Sequence, residues 1–231
     1  MADLRWVFVW LFAVAALFTG CRSAGPLQTV EEEDQFTRDV TAYPVYDSEG
    51  NPISFPFLGG FNAPRPQFAD IDGDGDNDLF VQENTDEIIF FEYTDTEDGF
   101  PLAWRSDKFR DLSVGEWFRF VDLDQDGDPD LLAEQPYSYI RYYRNEGTAQ
   151  TPVFVPARDS LRDVNGEPIF SDRQNIPNVT DIDCDGYLDL FIGRLDGTLT
   201  RYESTGLDDE GVPMFELITD RFENIEIVKQ F

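Results

Sequence analysis

Histidine is absent from this 231-residue chain, and cysteine and methionine occur only twice each. Without histidine the commonest general base is gone, and with it any His-based triad or zinc site. No G-x-S-x-G nucleophile motif occurs either. Two cysteines in very different contexts, Cys21 and Cys184, do not read as a disulfide. Cations are scarce: 17 Lys and Arg stand against 47 Asp and Glu, a formal charge of −30. Such a field repels nucleic acid and anionic membranes and attracts cations. Beyond the N-terminus no segment keeps a helical period. Hydrophobic residues at 41% and aromatics at 15% nevertheless exclude a disordered acidic chain and supply a core.

The one long apolar run, residues 6–18, is too short to span a bilayer comfortably. It suits the h-region of a signal peptide, with Arg5 before it. The run ends in Thr19, Gly20 and Cys21, which resembles the lipobox of bacterial lipoproteins, although Phe18 stands where Leu, Val or Ile is usual. That resemblance implies lipidation of Cys21 and an outer-membrane or cell-surface destination. Plain secretion after cleavage near Ala24 and an uncleaved anchor are the alternatives. All three place the folded part outside the cytoplasm and allow membrane contact only through the anchor. The expected division is a signal peptide at 1–20, a lipidated cysteine and tether at 21–35, and folded repeats at 36–231.

Comparison of the chain with itself aligns three segments: FADIDGDGDNDLFV at 68–81, FVDLDQDGDPDLLA at 120–133 and VTDIDCDGYLDLFI at 179–192. Their first aspartates are Asp70, Asp122 and Asp181, at periods of 52 and 59. A tyrosine follows each segment (Tyr93, Tyr143, Tyr202), and Phe109-x-x-Leu112-x-Val114 returns as Phe222-x-x-Ile225-x-Ile227. Short aromatic and β-branched runs between Gly, Asn and Asp predict about four strands per repeat.

The common pattern is D-x-D-x-D-G-x-x-D. Calcium is a hard cation that takes six to eight oxygens in a flexible cage. Aspartates at positions 1, 3 and 5 can turn inward as the backbone coils, and a glycine at position 6 (Gly75, Gly127, Gly186) permits the sharp turn. Position 9 closes the cage. The expected carboxylate ligands are Asp70, Asp72, Asp74 and Asp78; Asp122, Asp124, Asp126 and Asp130; Asp181, Asp183, Asp185 and Asp189. Position 7 (Asp76, Asp128, Tyr187) contributes a backbone carbonyl, so its side chain varies. Position 12 is Val81, Ala133 or Ile192, where an EF-hand needs glutamate, and each loop runs into a strand-like segment instead of a helix. The loops therefore sit in β-hairpins and hold about three ions. Cys184, at position 4, is expected to point away from the ion, and Trp104 and Trp117 to pack between strands.

With loops, flanking aromatics and turns together, residues 60–231 resemble the FG-GAP and VCBS-type repeats found in integrin α-like propellers. The resemblance implies an all-β, open β-propeller of about three four-stranded blades (65–117, 118–176, 177–231). Propellers close with four to eight blades, so three are too few. A fourth loop would be due near position 235, and the segment 44–64 is expected to add a partial blade, because Gly50-x-Pro52 echoes Gly166-x-Pro168. The functional expectation is a cell-surface calcium-binding scaffold that binds a protein or glycan and self-associates through open sheet edges. The alternative is a fragment of a propeller-containing polysaccharide lyase or hydrolase.

Overall fold

The computed structural model describes residues 38–95, 100–172 and 175–227. The expected signal peptide at 1–20 and the expected lipidated Cys21 and tether at 21–35 lie outside these residues. All the strands among the described residues belong to the unit Val40–Phe231. There are twelve: β1 (Arg65–Ala69), β2 (Asp78–Gln82), β3 (Ile88–Tyr93), β4 (Leu102–Ser106), β5 (Phe118–Val121), β6 (Asp130–Gln135), β7 (Tyr139–Asn145), β8 (Phe154–Arg158), β9 (Asn178–Thr180), β10 (Asp189–Gly193), β11 (Leu199–Leu207) and β12 (Pro213–Thr219). Two single 3-10 turns, Phe109–Asp111 and Phe222–Asn224, follow the first and third groups of four. Among the described residues there is no α-helix.

Consecutive strands pair antiparallel into three four-stranded sheets, β1-β2-β3-β4, β5-β6-β7-β8 and β9-β10-β11-β12. Short connections rich in Gly, Asn and Asp favour such meanders. The register is specific. Leu79 pairs with Phe91, Leu131 with Tyr143, and Leu190 with Tyr202. The first-sheet counterpart of Tyr143 and Tyr202 is therefore Phe91, and the tyrosine alignment through Tyr93 is off by two residues. Tyr93 instead corresponds to Asn145, since the backbone N–H of each donates to the last aspartate of its loop, Asp78 and Asp130. Each sheet also shifts register at one equivalent place, at Phe90/Phe91, Tyr142/Tyr143 and Arg201/Tyr202.

The core lies between sheets. Strand side chains alternate between faces, so β6 serves two interfaces. Leu131 and Ala133 join Phe80, Ile88, Phe109, Leu112 and Val114 between the first and second sheets. Leu132 joins Leu161, Ile169, Leu190, Ile192 and Phe215 between the second and third. That is why the β6 sequence is apolar without alternation. In the first interface Phe80 meets Phe90, Phe109 and Phe120 with centroids 5.0, 5.1 and 4.6 Å apart. Each such pair adds about 0.5–1.5 kcal/mol beyond area burial. Trp117 is buried in the second core; Trp104 lies on β4 and donates to Asp107 at 3.1 Å.

The segment 44–64 does not form a sheet. Its one bridge, Tyr46 to Pro52, closes a turn in which Asp47 accepts the N–H groups of Glu49 and Asn51. The echo near Gly166 is the same turn: Arg162 bridges Pro168, and Asp163 accepts from Asn165 and Glu167. The shared sequence encodes a bridged Asp-Gly turn, which needs no blade around it. The second copy of that turn is flanked by Leu161 and Ile169, buried between sheets.

Candidate metal-binding loops

Each acidic loop is the connection of a hairpin. The pairs that close it are Ala69 with Asp78, Val121 with Asp130, and Thr180 with Asp189. Position 9 is thus the first residue of the outgoing strand, and it is buried in all three loops. The glycine at position 6 has φ of 95°, 100° and 93° in Gly75, Gly127 and Gly186, a region closed to ordinary side chains. Position 4 is also left-handed, at Gly73, Gln125 and Cys184. Cys184 is exposed, as its place in the loop requires.

The aspartates organise the coil. At position 1, one carboxylate oxygen accepts the N–H of the position-6 glycine: Asp70 from Gly75 at 3.1 Å, Asp122 from Gly127 at 3.0 Å, and Asp181 from Gly186 at 3.0 Å. At position 5, Asp74, Asp126 and Asp185 accept the N–H of position 7, at 3.1, 3.0 and 2.9 Å. At position 3, Asp124 accepts the N–H of Asp126 at the longer distance of 3.3 Å, and the position-3 carboxylate belongs to the convergent set of each loop. Oxygens of Asp70, Asp72 and Asp74 lie within 4.8 Å of one another; so do those of Asp122, Asp124 and Asp130, and those of Asp181, Asp183 and Asp189. A calcium–oxygen bond is about 2.3–2.6 Å, so oxygens on opposite sides of one ion are separated by about that spacing. Hard carboxylate donors at this distance fit calcium.

The convergent sets differ from the expected ligand sets. Asp78 is outside the first, and Asp126 outside the second. Asp185 converges instead with Asp183 and Glu203, a residue of β11 that the loop pattern does not reveal. The side-chain carboxylates of Asp76 and Asp128, at position 7, are in none. Other strand residues also reach the loops, Arg144 to 3.7 Å from Asp124 among them. The Tyr142 hydroxyl donates to Asp130 at 2.8 Å. Arg201 donates to Asp189 at 2.5 Å, to Asp183 at 2.6 Å and to Glu203 at 2.8 Å.

Crowded carboxylates resist ionisation. Burial, only partly offset by the Tyr93 N–H, pushes Asp78 up to about 6. Burial likewise raises Asp130 to about 6 against hydrogen bonds from Asn145 and Tyr142. Burial and the neighbouring Asp74 raise Asp72, and burial and Asp126 raise Asp124. These are the shifts that a bound cation reverses. In the third loop the balance falls on the arginine. Burial opposes its charge, but Asp183 and Asp189 hold the guanidinium more firmly protonated than an ordinary arginine.

Residues 122–192, from the first aspartate of the second loop to the strand after the third, match the family model of the FG-GAP-like repeat. No curated protein matches the chain, and no solved structure does.

Proposed function

We propose that this chain is an exported calcium-binding scaffold, an open array of FG-GAP/VCBS-type propeller blades that acts as an interaction module for a protein or glycan. One observation carries the reading: the same hairpin loop gathers carboxylates to within 4.8 Å on three successive sheets. The stretch that matches the FG-GAP-like repeat includes two of those loops. A bound ion would neutralise charges that otherwise repel, stiffening the hairpin that carries it. In the first two loops Asp70, Asp72 and Asp74, and Asp122, Asp124 and Asp130, would hold it. The role is binding without catalysis; a fragment of a polysaccharide-acting enzyme is the competing class. Partners would use the loops between sheets. A groove of about 530 Å³ at the opposite hairpin ends, lined by Asp86, Glu116, Glu134, Arg141 and the exposed Tyr137, offers carboxylates and an aromatic ring to a sugar or peptide.

Isothermal titration with calcium, followed by glycan and protein arrays with and without the ion, tests the reading. Heats of binding and calcium-dependent capture are expected. Absence of calcium uptake ends it, and turnover of an acidic polysaccharide would favour the enzyme class. Lipidation of Cys21 is part of the same proposal. Intact mass after membrane extraction should carry the lipid, and a soluble product starting beyond Cys21 would remove the anchor.

A further inference from the structure

The three loops share their donors, but cross-strand neighbours give them different charge. Phe90, Tyr142 and Arg201 occupy one structural position, paired with Phe80, Leu132 and Phe191 or lying at the same register shift. A bulge re-aims the side chain beside it, and in the second and third sheets the side chain at this position bonds to the loop. In the first sheet the position is an apolar ring. In the second it is a neutral hydroxyl on Asp130. In the third it is a guanidinium on Asp189 and Asp183, positions 9 and 3 of the same loop, with Glu203 on the same nitrogen as Asp183. Arg144, near the second loop, differs. Its Nε lies 3.7 Å from Asp124, while its Nη2 is bonded to the carbonyls of Glu210 and Gly211 at 2.8 and 2.7 Å.

We propose that Arg201 stands in the third loop as an internal cation in place of the ion, so that the chain takes up two calcium ions and not three. This rests on the calcium reading of the loops. Arg201 already holds two of the three convergent carboxylates, Asp183 and Asp189, and both its side chain and Asp189 are largely withdrawn from solvent. A guanidinium does not lose its proton at any working pH. An incoming divalent ion would have to break those bonds and then sit beside a fixed positive charge. In the second loop Arg144 is held at 3.7 Å from Asp124 by its bonds to the Glu210 and Gly211 carbonyls and donates no hydrogen bond to the convergent carboxylates, and at the first loop the corresponding cross-strand residue is Phe90. The third hairpin therefore keeps its shape in chelator, while the first two depend on the ion.

Native mass spectrometry of the whole chain at rising calcium gives the count. Two ions are expected, with any third at least about tenfold weaker, a gap of about 1.4 kcal/mol. Asp183→Ala should leave the count at two, whereas Asp72→Ala should lower it to one. Arg201→Gln, which keeps a polar side chain without the charge, should raise it to three. Three ions of similar affinity in the unaltered chain would overturn the arginine's role and leave the calcium reading intact. No ions at all would overturn the calcium reading itself. Should Arg201→Gln fail to fold, the counts for the unaltered chain and for Asp183→Ala still decide.

Discussion

The ring of Phe222 meets that of Phe191 with centroids 5.0 Å apart and planes at 72°, repeating the 5.1 Å and 73° of Phe109 on Phe80. The turn that carries each ring also repeats, with φ of 51° at both Arg110 and Glu223. After Phe109 the chain lays Leu112 and Val114 into the core against the second sheet, 8% and 0% exposed. After Phe222 the counterparts Ile225 and Ile227 are 41% and 64% exposed. The third sheet thus presents the face that the first sheet covers with its neighbour. Self-association should use this face. Burying one such side chain contributes about 1.5–3 kcal/mol, so Ile225→Lys with Ile227→Lys should weaken association by about 100-fold or more. Light scattering over a concentration series in calcium reads the effect. A monomer at every concentration would rule out self-association through this face.

Substitutions within the second loop should separate by position. Asp124, at position 3, converges with Asp122 and Asp130, and Asp128, at position 7, does not. Asp124→Ala should weaken calcium binding at that loop by about tenfold or more, equivalent to about 1.4 kcal/mol. Asp128→Ala should have little effect. Equal losses in calorimetric titration would mean that position 7 binds through its side chain.

Calcium should stabilise the fold by mass action, because the unfolded chain cannot hold the carboxylates together. A site filled at 100 times its Kd adds about 2.7 kcal/mol. Magnesium is smaller and demands octahedral geometry, so it should fill these loops poorly. In melting curves at matched ionic strength, 10 mM calcium should raise the midpoint by several degrees over chelator, and magnesium by much less. Coincident curves for the two ions would leave only charge screening, since the net charge is −30.

Asp208 provides a pH test away from the loops. Burial works against its ionisation. The N–H groups of Val212 and Glu210, at 2.9 and 2.8 Å, and Arg158, at 2.7 Å, outweigh that and hold the carboxyl below the usual range. A depressed native pKa gives stability that is present above the unfolded value and is lost as pH falls through the native one. Asp208→Asn should therefore destabilise the protein at pH 7, by up to about 1 kcal/mol for a partly exposed pair, and the difference should vanish in strong acid. Denaturant titrations of both proteins at pH 7 and near pH 2.5 measure it. A constant difference across that range would mean that amide packing, not charge, is responsible.

The loops were legible in the sequence because a coiling turn is local: alternating aspartates and a glycine at position 6 are neighbours along the chain before they are neighbours in space. The strands were legible for the same reason, from short aromatic and β-branched runs between turn residues. What surrounds the loops was decided elsewhere. Arg201, Tyr142 and Glu203 reach the acidic clusters only through pairing with the next strand and a register shift that spacing does not disclose. That pairing also puts Phe91, and not Tyr93, in the place that Tyr143 and Tyr202 hold in the other sheets. Which apolar residues are covered was likewise a matter of tertiary contact. Ile71 and Leu123 occupy position 2 of the first two loops at 2% exposure, and Ile182, equally apolar, is 49% exposed in the third. Side-chain chemistry is the same in all three places; burial depends on whether another sheet stands against it, which no local pattern encodes.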